Sequence, residues 1–515
     1  MPSLVLKNGR IIDGTGGPER SGDVWINGDR IVGIADSIER EADATIDASG
    51  AVIAPGFIDL HAHGGHRIPS IPTADSKVHD GVTTEVVGNC GSSTFPVRAE
   101  DNGNGGYASA SEFFDAVDNA GSSINHASLV GQGAIRRYVL GRTSVLAKPE
   151  DIRAMRRAVE RCLEEGAFGV STGLIYTPGC YASKEEIAEI IGVAAEADAL
   201  YSTHLRSEGN EIEKAIGEAE YVARETGVRL QISHVKLSGR RNWDKIDWLD
   251  DHLHRMIDDG IDLACDRYTY IASSTDIGTI VPSWVHDGSP EDRMERLRDP
   301  EVRARVEEDI LNRHPEPDYW ENIVISTVPE GEDVTYNGKS LQQIAEMRDE
   351  RPVDTVMNLL AANRGKPSAV FFIMDEANLR RILTWPFVAV ASDARIRIPR
   401  GDELKTRPHP RAYGTFARLL GRYVRDEGVL TLPEAVRRIT SLPAERLGLA
   451  DRGVLREGAC ADVTVFDPAT VIDRATFAEP HQTSVGFRAV IVNGRPVIEN
   501  DVHNGSLPGR MLRRQ

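Results

Sequence analysis

The chain has 515 residues, 40% hydrophobic and 27% charged, the balance of a soluble globular protein too long for one ordinary core, so two or three domains are expected. A formal net charge of -19 with no basic stripe argues against a nucleic-acid partner. No apolar run approaches the roughly 20 residues that span a bilayer, which argues against a membrane one. Met1-Pro-Ser-Leu-Val-Leu-Lys lacks the cationic start and long apolar core of a signal peptide. The cysteines (Cys90, Cys162, Cys180, Cys265 and Cys460) are odd in number and scattered, which suits a reducing cytoplasm better than a disulfide framework. The expectation is a soluble cytoplasmic protein, monomer or small homo-oligomer.

Residues 1–55 alternate short β-like runs with turns, among them Asn8-Gly9 and Asn27-Gly28. The same style returns over 450–515, with Gly453-Val-Leu-Arg-Glu-Gly and Ala489-Val-Ile-Val-Asn-Gly. Neither end holds enough apolar residues to be stable alone, so the two are expected to pair into one β-sandwich. Between them, residues 56–449 alternate short apolar runs with amphipathic stretches, the pattern of parallel β/α units. Strands are expected at 57–60, 84–87, 127–130, 169–172, 199–203, 229–233, 262–266 and 387–391, and helices such as 149–165 and 184–197 between them. Eight such units predict an α/β fold, a (β/α)8 TIM-like barrel with its site at the C-terminal ends of the strands. The gap before the eighth strand is too long for one helix. Residues of about 285–350, charged and proline-punctuated, predict an inserted helical subdomain, a lid or plain decoration.

The first barrel strand runs directly into His61-Ala-His63, whose side chains share one side because strand residues alternate. Two imidazoles converging at a strand end suit a metal. Further donors stand at other strand ends: Cys90 at the second, His204 at the fifth, His234 at the sixth and Asp393 at the eighth. Alone each is weak, since a lone cysteine is usually a small core residue. In a barrel all these positions surround one mouth. A thiolate with imidazoles suits zinc over magnesium or calcium, which prefer oxygen shells. Cys90, His204 and His234 would make a tight site, and His61, His63 and Asp393 a second, harder one. A metal with an open position activates water and polarises a carbonyl, and Asp393 beside that water can take its proton and deliver it to a leaving amine. That is machinery for hydrolysing an amide or a related bond.

These motifs resemble the amidohydrolase superfamily and, within it, the D-aminoacylase (N-acyl-D-amino-acid deacylase) family. The resemblance is carried by Val87-Gly-Asn-Cys-Gly, Ser171-Thr-Gly-Leu-Ile-Tyr-Thr-Pro-Gly, Thr203-His-Leu-Arg-Ser-Glu-Gly, Ile232-Ser-His-Val-Lys, Asp266-Arg-Tyr-Thr-Tyr, Ala391-Ser-Asp and Pro408-His-Pro-Arg, and runs nearly end to end. It implies zinc-dependent hydrolysis of a small-molecule N-acyl-D-amino acid. It implies one tight zinc on Cys90, His204 and His234, a weaker or empty site on His61, His63 and Asp393, and Cys90 able to bridge. It also implies that Lys236, Tyr268 and Arg411 hold the substrate α-carboxylate. Tyr270 is an alternative to Tyr268, and Tyr176 either hydrogen-bonds the scissile carbonyl or lines the pocket. The preference for D over L comes entirely from the resemblance.

Two departures stand out. The stretch from Asp393 to Arg407 is longer and more basic than the family's usual Ser-Asp-Gly loop, and Val235 replaces a common second histidine. Arg395, Arg397 and Arg400 either select an acid or are solvated. The alternative enzyme is a cyclic-amide hydrolase of the hydantoinase or dihydroorotase type, which typically bridges two metals with a carboxylated lysine. A non-catalytic barrel that has lost its chemistry is the reading from another class.

Overall fold

Eight short runs, buried almost throughout, become parallel strands, the pattern of a sheet covered by helices on its outer face. The computed structural model describes residues 3–98, 105–328 and 334–515. Residues 1–2 and the part of the expected insertion at 329–333 therefore lie outside the described residues. The strands are β1 (Phe57–Asp59), β2 (Val82–Val87), β3 (Asn125–Ser128, resuming as Val130–Gly131), β4 (Gly169–Gly173), β5 (Leu200–His204), β6 (Arg229–Ile232), β7 (Leu263–Arg267) and β8 (Val388–Val390). Each falls within a residue or two of its expected place.

Parallel ladders join β1 to β2 to β3, and the continuation of β3 through β4, β5, β6 and β7 to β8. Leu129 interrupts β3 yet donates its amide to Val87 O at 2.8 Å. Strand β8 reaches β1 through the Asp393 amide, 2.8 Å from His61 O, and through Ala394, which pairs with Ala62. The chain thus has the TIM-barrel type of architecture. Helix Pro149–Glu164 starts with proline in its first turn and buries Met155, Val159, Cys162 and Leu163, a stripe at helical spacing. Helix Lys184–Glu196 is capped by Ser183, whose hydroxyl accepts from Glu186 N at 3.2 Å. Among the described residues no helix is long and apolar enough to cross a membrane.

The two chain ends do pair. Val52–Pro55 runs antiparallel to Val463–Phe466, with Ile53 opposite Val465, inside one continuous nine-stranded sheet rather than two separate ones. Asn27-Gly28 leads into the two-residue turn Gly28-Asp29 of a hairpin between Arg20–Asn27 and Arg30–Ala35, a turn at the expected place. Asn8-Gly9 does not. Strand Ser3–Ile11 continues through it, with Asn8 at φ 63° and a shift of register between Leu6 and Gly9. The same dipeptide that leads into a hairpin turn there makes a bulge here, because the chain on both sides is already paired with Arg20–Asn27.

Between β7 and β8 stands the insertion. It is not purely helical. Ser368–Phe371 pairs antiparallel with both Ser273–Asp276 and Ile323–Thr327. Helices Pro290–Arg296, Pro300–Arg313, Leu341–Arg348 and Pro352–Ala362 surround that sheet. Ile277, Val306, Ile323, Ile344, Val356 and Phe371 belong to a separate apolar cluster there. The unit therefore extends beyond both ends of the expected 285–350.

Candidate metal centre

Three of the expected donors stand on backbone that side-chain-bearing residues rarely adopt. Cys90, His234 and Asp393 have φ of 52°, 36° and 50°, a left-handed conformation that costs roughly 1–3 kcal/mol each and persists only where the surroundings impose it. At Cys90 the surroundings are explicit. Ser171 Oγ donates to Gly88 O at 2.5 Å and accepts from Gly91 N at 3.0 Å. Asn89 Nδ2 donates to Leu60 O at 3.3 Å and to Val86 O at 3.0 Å. Gly91 admits no side chain, since a Cβ would lie 2.6 Å from Gly173 N. At Asp393 the turn is held from below. Asp59 accepts from the Ser392 amide (2.8 Å), the Ser392 hydroxyl (2.6 Å) and Lys77 Nζ (2.6 Å). Lys77 is almost wholly buried and also reaches Ala394 O at 3.0 Å.

These turns bring six donors into two groups that share Cys90: His61, His63, Cys90 and Asp393, and Cys90, His204 and His234, with ligand atoms in each group within 4.8 Å of one another. Cys90 Sγ lies 3.3 Å from His61 Nε2 and 3.5 Å from His234 Nε2. His63 Nε2 is 2.8 Å from Asp393 Oδ1. Five of the six are buried, and His63 is partly exposed.

Two carboxylates that the sequence motifs contain but assign no role orient the rings. Asp266, at the end of β7, accepts from His61 Nδ1 at 3.1 Å and from the His234 amide at 2.8 Å. Glu208 lies 2.8 Å from His234 Nδ1. Each carboxylate sits against the Nδ1 of one ring, at His234 together with Lys236 Nζ at 2.8 Å from the same nitrogen, and leaves Nε2 as the lone-pair donor facing Cys90, the arrangement that tunes metal-bound histidines. Asp266 was recoverable, since it ends a barrel strand as the other donors do. The role of Glu208 was not, because it lies four residues beyond His204 on a loop with no periodicity to set it against His234.

The electrostatics suit a cation. Burial pushes the Cys90 thiol up, but the imidazoles of His61 and His204 outweigh it and hold the thiol well below its usual value. Burial likewise opposes ionisation of Asp393, yet Arg411 and His234 keep it well below the usual carboxylate range. His61 goes well above the ordinary histidine value: burial disfavours its charge, and Asp266 and Cys90 overcome that. His204 is the exception. Burial lowers its pKa, and neither ring nitrogen has a hydrogen-bond partner among the described residues. A buried, unpartnered imidazole beside a thiolate lacks only a metal to satisfy it.

A cavity of about 560 Å³ lies over these donors, lined among others by His63, Cys90, Tyr176, Asp393, Arg395 and Arg411. Tyr176 hydrogen-bonds Thr275 Oγ1 at 2.9 Å and sets its ring edge toward His204. Arg411 approaches Asp393 Oδ2 to 2.8 Å without hydrogen-bond alignment and lies over the Tyr268 ring, 4.5 Å from its centroid. Tyr268 is fully buried, and Tyr270 turns away to Asp473 Oδ2 at 3.1 Å. Lys236 is not an idle cation, because Glu208 and the His234 carbonyl (2.8 Å) engage its ammonium.

The family model described as "Amidohydrolase family" matches residues 44–498 of the chain. The chain belongs to the amidohydrolase family. It is 36% identical to the N-acyl-D-glutamate deacylase of Alcaligenes xylosoxydans xylosoxydans, covering 99% of this chain and 96% of that one. To the D-aminoacylase of the same organism it is 33% identical, over 99% and 97%. Among solved structures, the N-acyl-D-glutamate deacylase of Bordetella bronchiseptica, complexed with zinc and a phosphonate mimic of the tetrahedral intermediate, superposes with a TM-score of 0.85 at 34% identity over 99% of each chain. Within the amidohydrolases the chain is therefore a member of the D-aminoacylase group.

Glu208 supplies a direct check on the centre. Glu208→Gln keeps the size of the side chain and removes the charge that fixes the His234 ring, so metal affinity should fall about 10–100-fold. Competition with a chromogenic chelator would read it, and unchanged affinity would show that Glu208 serves Lys236 alone.

Proposed function

We infer that this amidohydrolase cleaves the acyl amide bond of N-acyl-D-amino acids, releasing a carboxylate and a free D-amino acid. The observation that carries this reading is the pair of donor groups sharing Cys90 at the floor of a cavity, with Asp393 in one of them. The D-preference rests on the relatives, which are named for D-substrates. The reading sets the site at the mouth of a (β/α)8 barrel of residues 56–449, flanked by the sheet of the two chain ends.

Cys90, His204 and His234 would hold zinc tightly, and His61, His63 and Asp393 a second, weaker ion. When bound, the metal supplies Lewis acidity toward water and the scissile carbonyl. Asp393 is placed to accept the proton of the attacking water and return it to the leaving nitrogen. Arg411 presents a planar fork to the substrate α-carboxylate, held in place by its stack on Tyr268. Lys236 would share its charge between Glu208 and that carboxylate. Tyr176, on the cavity wall beside His204, is positioned to donate to the carbonyl oxygen once it leaves Thr275.

A cyclic-amide hydrolase with a carboxylated lysine finds no support at the strand ends concerned. Strand β3 runs out in Leu129-Val-Gly-Gln132 and β4 in Gly173-Leu-Ile175, with no lysine in either. A barrel without chemistry finds none either, because all six donors and both orienting carboxylates are in place. The test is amine release from matched D and L N-acetyl amino acids by zinc-loaded protein. Turnover confined to the D forms is expected, and turnover of cyclic imides with none of the linear amides would overturn the reading.

A further inference from the structure

The cavity over the donors continues into a side pocket of about 270 Å³. His63, Ser92, Ser93, Arg137, Arg142 and Arg395 line both spaces and form the passage between them. Arg395 follows from the long loop after β8. It pairs in register with His63, and its stem lies on Gly64, where a Cβ would come within 3.0 Å of Arg395 Cγ. Gly64 thus gives the arginine room to reach over the first strand end.

The basic residues of that loop divide. Arg397 is paired with Glu403 at 2.6 Å, and Glu403 also engages Arg67. Arg400 is paired with Asp75 at 2.9 Å. Arg395 and Arg142 have no ion pair or side-chain hydrogen bond among the described residues, and no described carboxylate lines the side pocket. In a chain with 79 acidic side chains against 60 basic ones, two exposed arginines with no ion pair among the described residues, Arg395 feeling Asp276 and Glu403 only at longer range, form a local field for an anion beside an active-site cavity.

The direction of the substrate says which anion. Arg411, Tyr268 and Lys236 belong to the β6–β8 side of the mouth, whereas the side pocket is built from residues 63–66, 92–94 and 128 on the β1–β3 side. With the α-carboxylate on Arg411 and the amide over the shared donors, the acyl group extends toward Arg395. A third space, a chamber of about 630 Å³ that shares Thr275 with the main cavity, has apolar walls of Ile175, Trp243, Phe371 and Ile373 and a charged rim that includes Arg206, Arg240 and Arg313. Those arginines are paired, Arg206 with Glu218, Arg240 with Asp318 and Arg313 with Asp309, so the space fits an uncharged amino-acid side chain.

Resting on the deacylase reading above, we propose that the enzyme takes N-acyl-D-amino acids whose acyl group ends in its own carboxylate, such as succinyl or glutaryl, with Arg395 and Arg142 binding that terminus. Water adds to the acyl carbon, the carbon–nitrogen bond breaks and the nitrogen takes a proton. The products are a dicarboxylic acid and a free D-amino acid.

The test compares kcat/KM of the zinc-loaded full chain for N-succinyl-D-leucine and its neutral isostere N-succinamoyl-D-leucine, with N-acetyl-D-leucine as reference. Charge-assisted hydrogen bonds to the terminus should favour succinyl over succinamoyl by about 10–100-fold. In Arg395→Gln that ratio should fall toward one. A ratio near one in the unmodified enzyme, or one that Arg395→Gln does not move, would overturn the proposal. So would a preference for N-acetyl-D-glutamate over N-acetyl-D-glutamine that Arg395→Gln abolishes, since the second anion would then be the amino-acid side chain. No turnover even of N-acetyl-D-leucine would strike the deacylase reading itself, and the acyl subsite would fall with it.

Discussion

Asp393→Asn should lower kcat by about two to four orders of magnitude, the worth of a positioned general base and acid, while zinc stays on Cys90, His204 and His234. The amide of asparagine fills the same space but cannot accept the water proton. The structure adds a second consequence. Arg411 is buried and approaches Asp393 Oδ2 to 2.8 Å, so the variant leaves that guanidinium short of its counter-charge. Its attraction for the substrate α-carboxylate should rise, and KM should fall or hold as kcat collapses. Metal content by elemental analysis and the thermal midpoint separate lost chemistry from lost structure. A variant retaining more than about a tenth of the kcat, less than the smallest effect expected of a general base, would remove Asp393 from that role.

Cys90→Ala should empty the tight site. The thiolate belongs to both donor groups, so its loss leaves His204 and His234 as a pair too weak to retain zinc through dialysis. Activity should fall at least about a thousandfold, because activation of water and carbonyl depends on the bound ion. Cys90→Ser should not rescue either property. A serine hydroxyl stays protonated where the Cys90 thiol, beside His61 and His204, is held well below its usual value. Full zinc content in Cys90→Ala would mean that the ion sits on His61, His63 and Asp393 instead. Such a result would exchange the tight and weak assignments.

The insertion shows how far local patterns carry. Its charged, proline-punctuated helices mark a separate unit, but the sheet of Ser273–Asp276, Ile323–Thr327 and Ser368–Phe371 is assembled from runs about 40–50 residues apart. Four-residue runs carry too little alternation to be told from loop, and only their mutual pairing makes them strands. The two Asn-Gly dipeptides teach the same lesson. Asn27-Gly28 leads into a hairpin turn and Asn8-Gly9 sits in a bulge, since the partner of the flanking residues, not the dipeptide, decides between them.

The sequence by itself determined the eight-strand β/α alternation, the pairing of the chain ends and the gathering of six candidate donors at one mouth. Each depends on a short-range pattern: apolar runs of strand length, Asn-Gly turns, and His, Cys or Asp directly after a strand. In a barrel every strand end faces one mouth, so knowing the strands was enough to gather the donors. What only the tertiary structure decided is the environment of each side chain. It set Asp266 and Glu208 behind the histidines, tied Lys236 to Glu208, stacked Arg411 on Tyr268, and paired Arg397 and Arg400 while giving Arg395 no ion pair among the described residues. The physical reason is that charge pairing depends on distances of a few ångströms between residues far apart in the chain. Asp393 is more than 300 residues from its His63 partner, and a linear pattern fixes no such distance until the strands are closed around the site.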